Sequence, residues 1–356
     1  MNAVEMGRRP TALVVGANGL VGRNLATRIA AEGAWRTIGI ARSFPREMNG
    51  VEQLAVDLRD AGQAAKALQS VGPVDYVFYA ALSLAESSEQ QARDNVELLA
   101  NVVQPLTMPE MGLKHVNVVH GTKWYGSHLG PFRTPATESD PRLDIPLFYY
   151  DQHDWLRAAA DGADWNFSTL RPHLITGINV GNPNNIVNAL GVYVAVKSAL
   201  DEEPVFPGTQ ACFASLCMAT NVSLLNEAMI WAATDPACAG EDFNITNGDY
   251  FRWSNLWPVV TGMLGTSSSA VGSISLEDYM SDKAPVWARI AQERRLPSVP
   301  FQNLVNWRWA DFVFASEWDE LSSTIKARQF GFHQCLDTEA DFVQLLEQSR
   351  RERIIP

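Results

Sequence analysis

A glycine-rich turn near the start of the chain constrains the fold more than any other sequence feature. The turn reads G-x-x-G-x-x-G and consists of Gly16, Ala17, Asn18, Gly19, Leu20, Val21 and Gly22. It follows a short apolar run at 12–16 and precedes a stretch, 20–32, with helical spacing of apolar residues. Such glycines let the backbone approach a pyrophosphate, whose charge then meets the helix N-terminus. The segment predicts the opening βαβ unit of a dinucleotide-binding domain; the alternative is a glycine-rich turn without a ligand.

Strand-like and helix-like stretches alternate through the first half of the chain. Further strands are predicted at 37–41, 53–56, 74–81, 115–120 and 165–170, and further helices at 61–71, 89–103 and 148–160. Short apolar strands that alternate with helices indicate a parallel sheet covered on both faces. The predicted fold class is therefore α/β, a Rossmann-type doubly wound parallel sheet.

The pattern changes after about residue 176. A loop rich in Gly, Pro and Asn at 179–185 precedes predicted helices at 189–199 and 222–234. We predict an NADP-binding Rossmann domain at 1–178 and a smaller, mainly helical substrate-binding lobe at 179–356. A return strand to the sheet is expected near 242–249.

Charge and hydropathy exclude several classes of function. The net charge of -12 argues against nucleic acid as a partner, since phosphate binding needs a basic surface. No apolar run reaches the roughly 18 residues of a membrane-spanning helix, and 1–10 contains no apolar core of a signal peptide. These features predict a cytoplasmic protein with no membrane partner.

The cysteines give no sign of a metal site. None of the four is spaced as C-x-x-C, so no zinc knuckle and no bound metal are predicted. In a reducing cytoplasm we expect all of them to be buried thiols; they are Cys212, Cys217, Cys238 and Cys335.

The end of the second strand favours NADP over NAD. NAD enzymes usually carry an acidic residue there, which holds the ribose 2′-hydroxyl. This chain has Arg42 and Ser43 instead, and the arginine would stabilise a 2′-phosphate. The alternative is that Arg42 is a solvated charge at a strand end. Asp57 and Leu58, after the third strand, suit a contact to the adenine edge, although Asp57 could equally be a helix cap.

A Tyr-x-x-x-Lys sequence lies in an unsuitable place for catalysis. In ordinary short-chain dehydrogenases this motif follows the fifth strand, where the tyrosine donates a proton and the lysine lowers the tyrosine pKa. Here it joins Tyr193 to Lys197, beyond the sixth strand. We interpret both as ordinary helix residues of the second lobe. A different pair is better placed: Lys123 follows the fifth strand, and Tyr149 lies at the start of the next helix.

Several motifs in a fixed order resemble the progesterone 5β-reductase/iridoid synthase-like family, a divergent branch of the extended short-chain dehydrogenases. The resemblance covers nearly the whole chain. Besides the glycine turn, the motifs are K-x-Y-G…G-P-F from Lys123 to Phe132, F-Y-Y-D-x-x-D from Phe148 to Asp154, R-P-x-x-I-x-G from Arg171 to Gly177, W-A-A-T-D-P from Trp231 to Pro236, N-I-T-N-G-D from Asn244 to Asp249, and Pro285-Val286-Trp287.

The resemblance implies a site and a reaction. The lysine of K-x-Y and the first tyrosine of F-Y-Y form the family's active-site pair, which corresponds to Lys123 and Tyr149. The implied reaction is the conjugate (1,4) reduction of a small apolar enone or enal. NADPH delivers hydride to the β-carbon, and the tyrosine hydroxyl stabilises the enolate oxygen. Ala80 and Ile175, near the ends of the fourth and sixth strands, are assigned to the cofactor. Phe132 and Trp309 are assigned to an apolar substrate pocket.

Departures from the family leave the substrate open. The Lys123–Phe132 stretch is longer than in plant members, His120 stands where many relatives have Thr or Ser, and Leu147 stands where plants commonly have Asn. Direct 1,2-reduction of an aldehyde or ketone by the same pair is an alternative. A non-catalytic NADP-binding regulator is another, although it should have lost Lys123 or Tyr149. A sugar-nucleotide epimerase or dehydratase is compatible with the fold alone. A homodimer is a further possibility.

Overall fold

The architecture is built around one seven-stranded parallel sheet. A computed structural model describes residues 8–179, 181–297 and 299–356. The strands of the sheet are β1 (Thr11–Val15), β2 (Arg36–Ala41), β3 (Val51–Ala55), β4 (Tyr76–Tyr79), β5 (His115–Val119), β6 (Asn166–Pro172) and β10 (Glu241–Ile245). Their spatial order is β10-β6-β5-β4-β1-β2-β3. The strand order reverses between β1 and β4, where doubly wound sheets open a crevice at the carboxyl ends of their strands.

Helices cover both faces of this sheet. The helices are α1 (Leu20–Glu32), α2 (Ala61–Ser70), α3 (Ser88–Val103), α4 (Phe148–Ala160), α5 (Ile186–Ala199), α6 (Gln210–Ala214), α7 (Val222–Thr234), α8 (Trp253–Met263), α9 (Leu276–Met280), α10 (Ala284–Arg294), α11 (Trp307–Phe314), α12 (Ile325–Gln329) and α13 (Thr338–Arg351). Buried side chains of α2, α3 and α4 pack on one face of the sheet. Those of α1 and α7 pack on the other. The predicted Rossmann-type fold class is confirmed.

A third apolar core lies in the C-terminal part of the chain. It joins α5, α8, α10, α11 and α13 and contains the fully buried Trp257. Short strand pairs complete this region: β7 (Ile175–Thr176) pairs with β9 (Thr220–Asn221), and β8 (Leu216–Cys217) pairs with β11 (Phe251–Arg252). The expected mainly helical lobe is therefore present. The strand β10 joins the main sheet and α7 packs on one of its faces. The second half of the chain therefore contributes a helix to the sheet domain as well as the expected return strand.

Local sequence explains where the helices begin and end. The structure gives α1, α4 and α7 the bounds that the sequence predicts. Gly33 ends α1 with a φ of 67°, a conformation that favours glycine. In contrast, α5 begins three residues before the predicted start, because the side chain of Asn185 caps it by accepting a hydrogen bond from the Asn188 amide.

Two further expectations concern cysteines and membranes. Cys335 is exposed, so the expectation that all four thiols are buried is wrong for this residue, which lies in a surface segment before α13. The other three are buried and free.

Within the described parts of the chain, no helix combines the length and apolarity needed to cross a bilayer.

Candidate active site

A cleft of 1040 Å³ opens at the carboxyl ends of the sheet strands. The glycine turn, the ends of β2, β4, β5 and β6, and helix α11 contribute to its walls. Most of the residues assigned from the sequence line it: Gly16, Asn18, Gly19, Leu20, Val21, Arg42, Ser43, Asp57, Leu58, Ala80, Lys123, Tyr149, Ile175 and Trp309. Two assigned residues, Gly22 and Phe132, do not. Gly22 lies in the first turn of α1, directly after Val21.

The glycines of the turn are required by close backbone approaches. A Cβ atom on Gly16 would lie 2.8 Å from the carbonyl oxygen of Ala80, and one on Gly22 would lie 2.4 Å from that of Gly16. Gly16 also has a φ of 84°, which favours glycine. Gly22 therefore acts through packing, since its missing side chain lets α1 start directly behind the turn.

The N-terminus of α1 faces the cleft with its amides available. Gly19 is the N-cap, it supplies no side-chain cap, and the first turn of α1 contains no acidic residue. Beside it, the buried Asn18 Oδ1 has no hydrogen-bond partner among the residues that the structure describes. Such an N-terminus attracts an anion through its amides and helix dipole.

Two arginines place positive charge at the ends of β2 and β3. Arg42 is exposed and lines the cleft, as the sequence predicts. Arg59, which sequence reasoning missed, also lines it and forms an ion pair with Asp57 at 2.5 Å. The Arg59 side chain is the main reason why the pKa of Asp57 is lowered to about 2. Asp57 is therefore a carboxylate paired with Arg59. The guanidinium of Arg42 can instead interact with a ligand in the cleft.

Lys123 lies in a single 3-10 turn, Thr122–Tyr125, that directly follows β5. Its Nζ lies 5.0 Å from the ring centroid of Phe312, on α11. Partial desolvation lowers the pKa of Lys123. The pKa of His128, on the same wall, is lowered mainly by burial and further by the charge of Lys123. The ammonium group thus makes a cation–π contact with α11.

Tyr149 is positioned by the glycine that follows His120. Its hydroxyl lies 3.1 Å from the site that a Cβ of Gly121 would occupy, and its ring lies 4.8 Å, centroid to centroid, from the imidazole of His120. Burial raises the pKa of Tyr149 to about 12. Tyr149 is therefore a neutral hydrogen-bond donor at ordinary pH.

The rings of His120 and Trp124 form a stack next to Tyr149. The His120 imidazole stacks on Trp124 at 5.8 Å, and the buried guanidinium of Arg171 lies 3.7 Å from the Trp124 ring centroid. Burial, followed by the charge of Arg171, lowers the pKa of His120 to about 3. Within the described chain neither imidazole nitrogen has a hydrogen-bond partner. His120 thus acts as a neutral flat surface rather than as an acid or base.

The outer wall of the cleft is apolar. Trp309 lines it, as the resemblance implies, and so does Phe312 one turn later on α11. Leu82 and Leu84 line the same cleft with 54% and 76% of their surfaces exposed. Phe312 could have been found from its spacing, because residues three apart share a helix face. Phe132 does not line this cleft; like Tyr149, it packs against a small cluster that includes Trp124 and Tyr150, and its assignment to the substrate pocket stays a prediction.

The Tyr193–Lys197 pair lies in the C-terminal core, outside the cleft. Tyr193 is buried and donates its hydroxyl hydrogen to the carbonyl of Val205 at 2.9 Å. Lys197 pairs with Glu202 at 2.7 Å. Burial strongly raises the pKa of Tyr193. Both residues have structural partners, which supports the interpretation that they serve the helix core.

Comparison with known proteins identifies relatives over almost the full chain. A family model described as a PRISE-like Rossmann-fold domain matches residues 52–314. The chain is 30% identical to an (S)-8-oxocitronellyl enol synthase from Camptotheca acuminata, over 97% of this chain and 93% of that protein. It is 29% identical to a 3-oxo-Delta(4,5)-steroid 5-beta-reductase from Arabidopsis thaliana, with the same shares covered.

Solved structures share the fold at lower sequence identity. A UDP-glucose 4-epimerase from Thermotoga maritima superposes with a TM-score of 0.69 at 15% identity, covering 96% of this chain and 99% of that chain. The enzyme WbmG from Bordetella bronchiseptica, in complex with NAD, gives a TM-score of 0.68 at 15% identity, covering 99% and 97%. At this identity the likeness establishes the Rossmann architecture.

Proposed function

The chain belongs to the family of PRISE-like Rossmann-fold proteins, and from this membership we propose that it is an NADPH-dependent reductase of the C=C bond in apolar enones or enals. The relatives named as a steroid 5-beta-reductase and as oxocitronellyl enol synthases support this class of reaction. The substrate of this chain is proposed only as a class, a compact apolar molecule with a conjugated carbonyl group.

The cleft fits a phosphorylated dinucleotide. Its glycine turn leaves no room for a Cβ atom at Gly16, and the uncapped N-terminus of α1 offers amides to a pyrophosphate. Arg42 lines the cleft at the end of β2, and its guanidinium would suit a ribose 2′-phosphate. Asp57 is occupied by Arg59 and therefore repels such a phosphate less than a free carboxylate would. These observations support NADPH rather than NADH.

The proposed chemistry divides between the cofactor and two side chains. When bound, NADPH supplies a hydride for the β-carbon of the substrate. Tyr149 would donate its hydroxyl hydrogen bond to the carbonyl oxygen, which gains negative charge as the enolate forms. A phenol with a pKa of about 12 stays protonated and so remains a donor throughout. Solvent water would supply the proton that the α-carbon gains when the enolate becomes the saturated carbonyl product.

Lys123 would hold the cofactor and add positive charge to the site. It lines the same cleft as Tyr149, and Phe312 restricts where its ammonium group can lie. A cation in a partly desolvated cleft stabilises nearby negative charge more strongly than one in water. We assign Lys123 to the ribose and to the electrostatics of the developing enolate, and not to proton transfer.

The observation that carries the proposal is the convergence of Arg42, Tyr149 and Lys123 on one cleft with an apolar mouth. The test is NADPH oxidation against a panel of enones, enals and saturated aldehydes, with the products identified. Saturated carbonyl products from the enones are expected. Allylic alcohols as the main products would instead establish 1,2-reduction. If NADPH is not oxidised with any member of the panel, the proposal is wrong.

A further inference from the structure

Three side chains from distant parts of the sequence meet on the wall of the cleft. His173 follows β6, Cys217 ends β8, and Glu320 follows α11. The Nε2 atom of His173 lies 3.6 Å from Cys217 Sγ and 3.3 Å from Glu320 Oε2. All three donor atoms lie within 4.8 Å of one another, and all three residues line the cleft. None of them has a part in the proposed reduction.

Two of the three separations between these atoms match the edges of a zinc tetrahedron. Bond lengths of about 2.3 Å to sulfur and about 2.0–2.2 Å to nitrogen or oxygen put N and S about 3.5 Å apart and N and O about 3.4 Å apart. The observed separations of 3.6 and 3.3 Å agree with both edges. The third separation, between Cys217 Sγ and the Glu320 carboxylate, is within 4.8 Å, so one cation could contact all three atoms after a modest movement of side chains.

The surrounding structure holds the three residues in place. The Nδ1 atom of His173 lies 2.8 Å from the hydroxyl of Thr122, which leaves Nε2 facing the other two donors. The amide of His173 bonds to Thr220 Oγ1 at 3.0 Å. The amide of Glu320 bonds to the carbonyl of Leu216, next to Cys217, at 2.9 Å. A second partner on the remote imidazole nitrogen is usual for metal-ligating histidines.

A nucleophilic Cys-His-Glu triad would require a different arrangement. In such triads the thiol contacts one imidazole nitrogen and the carboxylate the other. Here Cys217 and Glu320 both approach Nε2, and Thr122 occupies Nδ1. Convergence of three donors on one point suits a shared cation better than a proton relay.

We propose that His173, Cys217 and Glu320 bind one Zn²⁺ ion, with the fourth coordination position directed into the cleft. Thiolate and carboxylate together balance the charge of the ion, and the neutral imidazole completes the protein ligands. Binding displaces the thiol proton into solvent, as at other thiolate–zinc sites. The fourth ligand would be an oxygen donor, either water or a polar atom of the cleft's occupant.

The test measures metal binding without turnover. The full-length protein, stripped with a chelator and dialysed, is titrated with Zn²⁺ against a chromophoric chelator, and the bound metal is counted by elemental analysis. One Zn²⁺ per chain is expected. Co²⁺ in place of Zn²⁺ should give a thiolate-to-cobalt charge-transfer absorption. Both readouts are independent of whether the chain reduces any enone.

Variants identify the ligands. Cys217→Ser should abolish the charge-transfer absorption, and Glu320→Gln should weaken Zn²⁺ binding at least tenfold while it keeps the side-chain shape. The matched control is Cys335→Ser, which removes the exposed thiol and should bind Zn²⁺ like the parent. Thermal melts of the metal-free variants establish that each one is folded.

Two results would overturn the site. One is a parent protein that retains no stoichiometric Zn²⁺, which would leave the three residues as a hydrogen-bonded cluster. The other is Zn²⁺ binding that is lost in Cys335→Ser but unchanged in folded Cys217→Ser and Glu320→Gln, which would place the metal on the surface.

Discussion

The hydroxyl oxygen of Tyr149 lies 3.1 Å from the position that a Cβ atom would occupy on Gly121. Gly121 has a φ of 176°, which is ordinary extended backbone, so an alanine there meets no backbone strain. A methyl group at this point would compete directly with the tyrosine hydroxyl. The position of the proposed donor thus depends on the absence of a side chain two residues before Lys123.

Gly121→Ala should therefore lower kcat while NADPH binding stays close to that of the parent. We expect a loss of about tenfold or more, because small displacements of a hydrogen-bond donor sharply reduce its effect on a transition state. Gly262→Ala is the matched control, since a Cβ there meets nothing within 4 Å. Equal kcat in the two variants would contradict the proposed role of the Tyr149 hydroxyl.

Two tyrosines allow a direct test of the site assignment. Tyr149→Phe should reduce kcat on a poorly activated enone by about 10²–10³-fold, the usual result of losing one oxyanion donor. Tyr193→Phe should leave kcat unchanged and cost about 1 kcal/mol of stability, because its hydroxyl donates to the Val205 carbonyl in the core. Steady-state kinetics and urea unfolding separate the two effects. An inactive Tyr193→Phe beside an active Tyr149→Phe would reverse the assignment.

Sequence patterns predicted those parts of the site that depend on local order. The glycine turn, Arg42 and the two residues after β3 each follow a strand of the parallel sheet, so their meeting at one edge follows from the topology. The bounds of α4, and with them the place of Tyr149, follow from apolar spacing. Lys123 needed the family resemblance, because 26 residues separate it from Tyr149.

The rest depends on packing that no short-range pattern encodes. His173 and Cys217 are 44 residues apart, and Glu320 reaches them through a segment held by a backbone hydrogen bond from the Glu320 amide to the Leu216 carbonyl. Arg59 looked like any exposed residue, and its pairing with Asp57 depends on side-chain conformation. The displacement of Phe132 from the cleft likewise results from how the loop after Lys123 folds onto Tyr150 and Trp124.

The cleft wall formed by α11 should control substrate size. Trp309→Ala should lower KM for bulky enones relative to small ones, because the loss of the indole ring enlarges the cleft at its apolar wall. Phe132→Ala should instead lower kcat for all substrates alike, because Phe132 packs on the cluster around Tyr149. NADPH titration checks that both variants bind cofactor normally. The same KM ratio in Trp309→Ala and in the parent would contradict this role.

Buried neutral histidines should make stability depend on pH. Burial lowers the pKa of His115 to about 4, while an unfolded histidine titrates near 6.5. Between these values the unfolded chain binds the additional proton, so the stability is complete above about pH 6.5 and falls as the pH drops towards 4. The slope is about 1.4 kcal/mol per pH unit for each such histidine. His115→Asn should reduce the slope of unfolding free energy against pH in this window, and an unchanged slope would exclude a neutral buried His115.

The last prediction concerns the choice between NADPH and NADH. Arg42 is exposed at the end of β2, and Asp57, a carboxylate near it, is already paired with Arg59. A phosphate on the ribose would therefore meet a cation for which Asp57 competes little, which favours NADPH by about 1.4 kcal/mol or more, a factor of about ten in Kd. Arg42→Ala should remove most of that preference by weakening NADPH binding, while the Kd for NADH stays the same. Arg46→Ala, which removes an equal charge outside the cleft, separates this local contact from a general loss of positive potential. If Arg46→Ala weakened NADPH binding as much as Arg42→Ala, the preference would arise from overall charge, and if NADH bound the parent as tightly as NADPH, the cofactor assignment itself would be wrong.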